Sequence, residues 1–491
     1  MVVTTDGRSL TLAAAIDVAE GWAVVKASPK SLKQMEKFRL LLEEKLSRGE
    51  VVYGVNTGFG SLSDKVVGPE NLEELQLNLI RSHSAGVGSL LPTEVVRAAM
   101  LIRLNSLLNG NSAVRKEVAE FIVDMLNQGV TPAVPEFGSL GASGDLVPSA
   151  HMALTMLGEG KAYRRGRLVD SSKALSMSKL KPIKLRAKEG LSLINGTQFT
   201  TALSCVAVHR GNVLLSAANS TLSVTAEALE ACSQSFDERL VGVKLDPGQG
   251  FVAREIRAHL KGSRRIRSEP VPQDPYSIRC APQVHGSLRD ALGFAEKITV
   301  DEMNSVSDNP VLLEDGSVLH GGNFHAQPVA MALDLLSLSL SYLGVISLAR
   351  IHYLLSKTPP ESKYMAGKPG LESGLMILEY TATALTNDNA KNIHPDSSYP
   401  ASVSGGVEDH ASHGVNAGTK CLQVAANVAR ILAIELICAS NILGSNESGI
   451  SEHARRVIAF VRSHSPLLGG DRAQGGEIEL IAKETLARNL P

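Results

Sequence analysis

Ala142-Ser143-Gly144 is a stretch of backbone with the means to react with itself. If the Gly144 nitrogen attacks the Ala142 carbonyl, a five-membered ring closes. Loss of two waters, one of them from the Ser143 hydroxyl, then leaves an exocyclic methylene, a strong electrophile. The attacking residue has to be glycine, because a Cβ would block the approach and only glycine reaches the required φ angles cheaply. The surrounding Gly138-Ser139-Leu140-Gly141 and Asp145-Leu146-Val147-Pro148 read as a loop entering a helix, with Asp145 as N-cap and Pro148 in the first turn. That would set the ring at the positive end of a helix dipole, where developing negative charge is favoured. The plain alternative is a glycine-rich loop that only punctuates a helix start.

Two other clusters invite chemistry. Glu408, Asp409, His410 and His413 bring four potential metal ligands together, and His410 and His413 at i, i+3 could share a helix face. A metal-dependent hydrolase is therefore one alternative, although no His-Glu-x-x-His or cysteine pair supports it. The glycine-rich run Gly54 to Gly60 lacks the Gly-Lys-Ser/Thr ending of a phosphate-binding loop, so nucleotides are not expected. A catalytically silent helical scaffold is the remaining alternative.

Helices must position these groups. The spacing predicts helices from Ser28-Pro29 to about Arg48, from Pro69-Glu70 to about Ser82, and from a Ser112 cap to about Gly129. Three stretches, roughly 197–235, 326–357 and 407–444, are long, apolar and poor in Pro and Gly. Asp334, Arg350, Arg430 and Glu435 within them argue against membrane spans and for buried bundle helices. Helices apolar around most of their circumference need covering on every side, which predicts subunit association. Segments 163–188, 236–281 and 359–373 read as loop-rich. A formal net charge of −1 gives no electrostatic case for nucleic acid or an anionic membrane as partner. Cys205, Cys232, Cys280, Cys421 and Cys438 are odd in number and widely spaced, which suits free thiols in a reducing compartment. Met1 to Arg8 lacks the basic region, apolar run and small-residue cleavage site of a secretory leader, and the expected compartment is the cytoplasm.

The segment around Ala142-Ser143-Gly144 resembles the signature of the histidine and aromatic amino acid ammonia-lyase and aminomutase family. In that family Ala-Ser-Gly becomes 4-methylideneimidazol-5-one (MIO). The resemblance extends to Tyr53–Gly60, Asn195–Gln198, Gln273–Arg279, Ser307–Pro310 and Gly322–His325, in family order over nearly the whole chain. It implies a mainly α fold with a long central helical bundle of the fumarase/aspartase-like kind, assembled as a homotetramer with active sites shared between subunits. An N-terminal domain over 1–196 would carry the MIO and Tyr53 loops, and 197–491 would form the bundle and C-terminal helical region.

By the same resemblance, Tyr53 matches the phenolate that removes the substrate β-proton. A phenol titrates near ~10, so such a base needs positive potential nearby. Arg279 matches the clamp on the substrate carboxylate, which suits the planar guanidinium fork. Tyr276, Gln273 and Asn195 match residues around the MIO and the amino acid moiety, and Phe324 matches the aromatic beside the prosthetic group. His83 after Ser82 and Glu408 before Asp409 match the histidine branch, where an acidic group suits an imidazole that donates a hydrogen bond or carries charge. The implied reaction is elimination of ammonia from L-histidine to give trans-urocanate. A tyrosine or phenylalanine lyase, or a 2,3-aminomutase of the same family, is the alternative. Gly406-Val407 stand where the family usually has Asn-Gln, His413 replaces a usual methionine, and Gln327 replaces a common Glu. These departures bear on substrate choice.

Overall fold

The long apolar stretches are helices because nothing in them breaks the backbone ladder. In the computed structural model, which describes residues 1–491 apart from the side chain of Ser61, they span Gln198–Ala228, Gln327–Ser356 and Gly414–Leu443. A helix of such length runs about 45 Å. All three are long and apolar enough to cross a membrane, yet 100%, 72% and 83% of their most apolar windows are buried within the fold. A fourth long helix, Ala281–Met303, was not expected from the sequence. Its polar residues recur too often for an apolar run to stand out.

The chain divides into two compact units that are discontinuous in sequence. The first comprises 1–206, 295–334 and 395–419, and the second 207–294, 335–394 and 420–491. The expected single cut at 196/197 does not describe this division, because two later segments return to the first unit.

In the first unit, the helix Thr93–Leu107 is buried from Val95 to Leu107 except at Arg97, whose guanidinium donates to the carbonyls of Val18, Ala19 and Leu126. Arg103, fully buried, donates to the Ser307 and Ser192 carbonyls, and Lys188 pairs with Asp308 at 2.9 Å. Strands are few: Val2–Thr5 runs parallel to Val24–Ala27, and Val130–Pro132, Lys161–Arg164 and Arg167–Asp170 form an antiparallel sheet in that order.

The shorter predicted helices form at Pro29–Ser47 and Leu72–His83, the latter entered through a 3₁₀ turn at Pro69–Asn71. The third starts at Lys116 rather than at a Ser112 cap, since Ser112 is fully buried and its carbonyl accepts the Ser192 hydroxyl. The supposed loops contain short elements, including Ser171–Met177 and Pro247–His259, the second capped by Asp246 onto the Gln249 N–H.

In the second unit the rings of His259 and His453 stack with centroids 3.8 Å apart and planes 8° from parallel. His453 Nε2 meets the Ser220 hydroxyl at 2.8 Å, and His259 Nδ1 meets Ser223 at 3.3 Å. Burial holds both imidazoles below their ordinary value, His453 at about 4, with the His259 and Arg456 charges pushing His453 further down. Glu255 pulls His259 partly back. The unfolded chain therefore binds more protons than the folded one between about pH 6.5 and 4, so this pair's contribution is full above that window and is lost as pH falls through it. Replacing His453 with Gln should flatten the loss of melting temperature between pH 6.5 and 4 relative to the parent; superimposable profiles would show that the pair does not titrate on unfolding.

Candidate active site

Gly144 has φ +79°, and a Cβ there would stand 2.6 Å from the Gly196 carbonyl oxygen and 2.8 Å from the Gly196 nitrogen. Only glycine fits, both by conformation and by space. Next to it the Asp145 N–H donates to the Gly196 carbonyl at 2.7 Å. On the other side the Asn195 amide donates to the Ser143 carbonyl at 2.8 Å. Gly141, at φ +71°, turns the loop so that its carbonyl receives the Ser412 hydroxyl, while Leu140 accepts the His413 N–H at 2.8 Å. The loop is thus held on both flanks, with Ala142 and Ser143 turned to the cavity they line.

Asp145 stands at the N-terminus of Leu146–Met156 but makes no side-chain cap bond to that helix, which corrects the expected N-cap. Its carboxylate instead accepts the N–H of Thr200 at 2.7 Å and the Thr200 hydroxyl at 2.9 Å, in the first turn of Gln198–Ala228. It caps the neighbouring helix. Burial raises its pKa to about 6, against the lowering effect of those hydrogen bonds and of the one from Ser139.

Ala142 and Ser143 line a cavity of about 890 Å³ together with Tyr53, His83, Asn195, Phe324 and Glu408. Every one of these belongs to the first unit. Tyr53 reaches it because the following loop folds back tightly: a Cβ on Gly58 would run into the Leu62 carbonyl, and Gly60, at φ +54°, donates its N–H to the Tyr53 hydroxyl oxygen at 3.2 Å. The ring of His320 meets Tyr53 edge-on with centroids 6.0 Å apart.

His83 ends the helix Leu72–His83, with Nδ1 2.9 Å from the Leu79 carbonyl. A carbonyl only accepts, so Nδ1 carries the proton and Nε2 of the neutral ring is left as an acceptor. Burial pulls the His83 pKa down, while the Leu79 carbonyl and the Glu408 charge pull it partly back. Glu408 follows the 3₁₀ turn Ser404–Gly406 and is anchored by a backbone bridge to Val403.

Some lining residues were missed by the sequence reading. Leu75, Asn78 and Leu79 stand one or two turns before His83 on its helix, where periodicity alone could have found them. His325 and His410 stack with centroids 5.3 Å apart and planes 6° from parallel, and burial together with the His410 charge lowers His325. His325 lies in a block already singled out for Phe324. His410 and His413 do not share a helix face, because the helix begins only at Gly414 and His413 itself has φ +50°. Among the described residues no group of three His, Cys, Asp or Glu is placed to hold a metal ion.

Gln273, Tyr276 and Arg279 belong to the second unit and do not line this cavity. Tyr276 is 72% exposed, with the Arg279 guanidinium 4.9 Å from its ring centroid. Arg279 Nε donates to the Asp274 carbonyl at 2.9 Å.

A sequence profile described as aromatic amino acid lyase matches residues 10–463. A histidine ammonia-lyase of Caldanaerobacter subterraneus subsp. tengcongensis is 43% identical over 90% of this chain and 88% of its own length. One from Symbiobacterium thermophilum is 42% identical over 97% and 95%. Among solved structures, a tyrosine aminomutase from Streptomyces globisporus superposes with TM-score 0.93 at 34% identity, over 99% of this chain and 97% of that one. A histidine ammonia-lyase from Trypanosoma cruzi gives 0.90 at 36% identity, over 100% and 96%. A match of this extent, with Ala142, Ser143 and Tyr53 lining one cavity, places the chain in the aromatic amino acid lyase family.

Proposed function

We propose that this protein eliminates ammonia from L-histidine to give trans-urocanate, with Ala142-Ser143-Gly144 cyclised to MIO. The observation that carries the substrate choice is the pairing of His83 Nε2, fixed as an acceptor, with the Glu408 carboxylate on the wall of the cavity that holds Ala142 and Ser143. Two acceptors suit an imidazolium, which donates from both ring nitrogens, and either one can take the single N–H of a neutral imidazole; a phenyl ring offers them nothing. The curated relatives named histidine ammonia-lyase support the same reading.

The residues present fit the prosthetic group. The space around Gly144 excludes a side chain, Asn195 already grips the Ser143 carbonyl, and Asn195 Oδ1 is buried with no hydrogen-bond partner among the described residues. Asn195, Gly196 and the Asp145 N–H would hold the ring, with Phe324 beside it. When formed, MIO supplies an electrophilic methylene carbon that makes the substrate amine a better leaving group. Tyr53 accepts the β-proton, its hydroxyl oxygen held in place by the Gly60 N–H at 3.2 Å. Loss of that proton and of the α-amino group leaves the double bond of urocanate and frees ammonia.

The same reading makes the assembly a homotetramer. Gln273, Tyr276 and Arg279 are contributed to each cavity by neighbouring copies, with Arg279 on the substrate carboxylate. Supporting this, Leu335, Leu338, Tyr342 and Val345 recur at alternating steps of four and three on the helix Gln327–Ser356, with Val345 53% and Tyr342 42% exposed in the single chain. Such a stripe requires a cover. The cytoplasm is the assigned compartment, in keeping with five free cysteines.

Incubated separately with L-histidine, L-tyrosine and L-phenylalanine, the protein should release ammonia and form an ultraviolet-absorbing acid from histidine alone. Cinnamate, coumarate, a β-amino acid or silence would overturn the substrate assignment. Tyr53→Phe should lower kcat by at least about a hundredfold, the usual weight of a general base. It should leave the two-water mass deficit of the Gly138–Pro148 peptide in place, whereas Glu408→Ala should harm histidine turnover selectively; near-parent rates in either variant would remove the role given to that residue. Val345→Glu should lower the solution mass below four chains and activity with it while the helical circular dichroism persists; a fully active tetramer would show that the stripe is not an interface.

A further inference from the structure

We infer that the buried pair Arg350–Glu435 is a positioning device for the substrate-carboxylate arm of the site, acting on Arg279 and Tyr276 through the backbone that carries them. The inference rests on the reading above that Arg279 takes the carboxylate. The helix Tyr276–Arg279 has only four residues, and a single turn has too few internal hydrogen bonds to hold its own shape. Its form must come from what grips it. One grip is Asp274, whose carboxylate takes the Cys232 N–H at 2.6 Å and the Arg267 guanidinium at 2.8 Å while its carbonyl takes Arg279 Nε. The other is Arg350, whose Nη1 donates to the Ser277 carbonyl at 3.3 Å from the interior side.

Arg350 is fully buried, and Glu435 holds it by Nε to Oε1 at 2.6 Å and Nη2 to Oε2 at 2.9 Å. The remaining acceptor capacity of Glu435 is filled by the Thr225 hydroxyl at 2.7 Å and the Ser347 hydroxyl at 2.6 Å. The carboxylate therefore fixes the plane of the guanidinium, leaving Nη1 as the donor that reaches the turn. A buried ion pair is a weak source of stability, because aliphatic side chains of like volume serve a core as well or better. What aliphatic chains cannot provide is a charged N–H aimed at one carbonyl. With Ser277 and Ile278 buried, Tyr276 exposed and Arg279 half-buried over its ring, a hold on the Ser277 carbonyl sets the direction in which that pair projects.

The test is the double substitution R350M/E435L, which removes both charges together and leaves none unpaired, with Arg350→Lys as a second variant that keeps an ion pair but loses the fork. Each is assayed for histidine kinetics and for competitive inhibition by imidazolepropionate, which has a carboxylate, and by 4-methylimidazole, which has none. KM for histidine and the inhibition constant of imidazolepropionate should rise about tenfold or more, the scale of a lost charge-assisted hydrogen bond. Inhibition by 4-methylimidazole should stay within about twofold and kcat should fall less than KM rises. Equal weakening of both inhibitors, or parent-like values in a folded variant, overturns the positioning role. Arg279→Met separates the two layers. If it too behaves as the parent, the carboxylate assignment has failed and the inference falls with it; if it loses imidazolepropionate while the Arg350 variants do not, only the inference fails.

Discussion

Everything at the Gly141–Asp145 loop depends on three backbone segments packed closer than side chains allow. Gly144 lies against Gly196, and a Cβ on Gly196 would itself collide with the Ser307 carbonyl and stand 2.6 Å from Arg103 Nη1. Polar backbone groups in so dry a place need partners: the Gly196 carbonyl takes the Asp145 N–H, and the Ser307 carbonyl takes Arg103. Asp145 completes the arrangement by tying the loop to the first turn of Gln198–Ala228. Its position at a helix N-terminus favours the carboxylate, yet burial outweighs this and lifts its pKa to about 6. The contact that aligns the loop with Asn195 is thus a carboxyl group poised close to neutrality.

The charges inside the protein follow the same logic. Arg103, Lys188 and Asp308 in the first unit, and Arg350 with Glu435 in the second, are nearly or wholly excluded from water. Burial lowers the Lys188 pKa, and Asp308 opposes that shift. Paired charges of this kind contribute little net stability, but each fixes a short segment with too few bonds of its own. Arg103 reaches the carbonyls of Ser192 and Ser307, on either side of the reactive loop's partner Gly196; Arg350 reaches Ser277. The cations act as rigid multi-armed donors where the chain is irregular and must still be held still.

What was legible in the sequence was whatever depends on local order. The long helix Gln327–Ser356 appears within a residue of its predicted ends, while Gln198–Ala228 stops seven residues short of the predicted 235; runs poor in Pro and Gly have few other options. Ala142-Ser143-Gly144 stands out by residue type, and Ala142 and Ser143 line the cavity. What was not legible depends on contacts distant in sequence. Asp145 has the form of an N-cap for the helix it precedes, and nothing local reveals that Thr200 is its partner. The helix predicted from 407 begins at Gly414 because Ser412 and His413 are spent on the carbonyls of Gly141 and Leu140. The return of 295–334 and 395–419 to the first unit carries no local signature at all.

The placement of the candidate residues joins assembly to chemistry. The cavity brings together Ala142, Ser143, Tyr53, His83 and Glu408, all from the first unit. Nothing on that wall is an obvious partner for a substrate carboxylate: its charged groups include Glu408 and Asp409, both acidic, and His83 is held toward neutrality by burial. A histidine substrate carries a full negative charge at its other end, and leaving that charge unpaired in a half-enclosed cavity is costly. On the proposed reading the compensating cation is Arg279, half-buried on a turn of the second unit beside exposed Tyr276. On the proposed reading, covering the apolar stripe at Leu335–Val345 and completing the charge balance of the cavity are one event, so an isolated chain would lack both its cover and its carboxylate clamp.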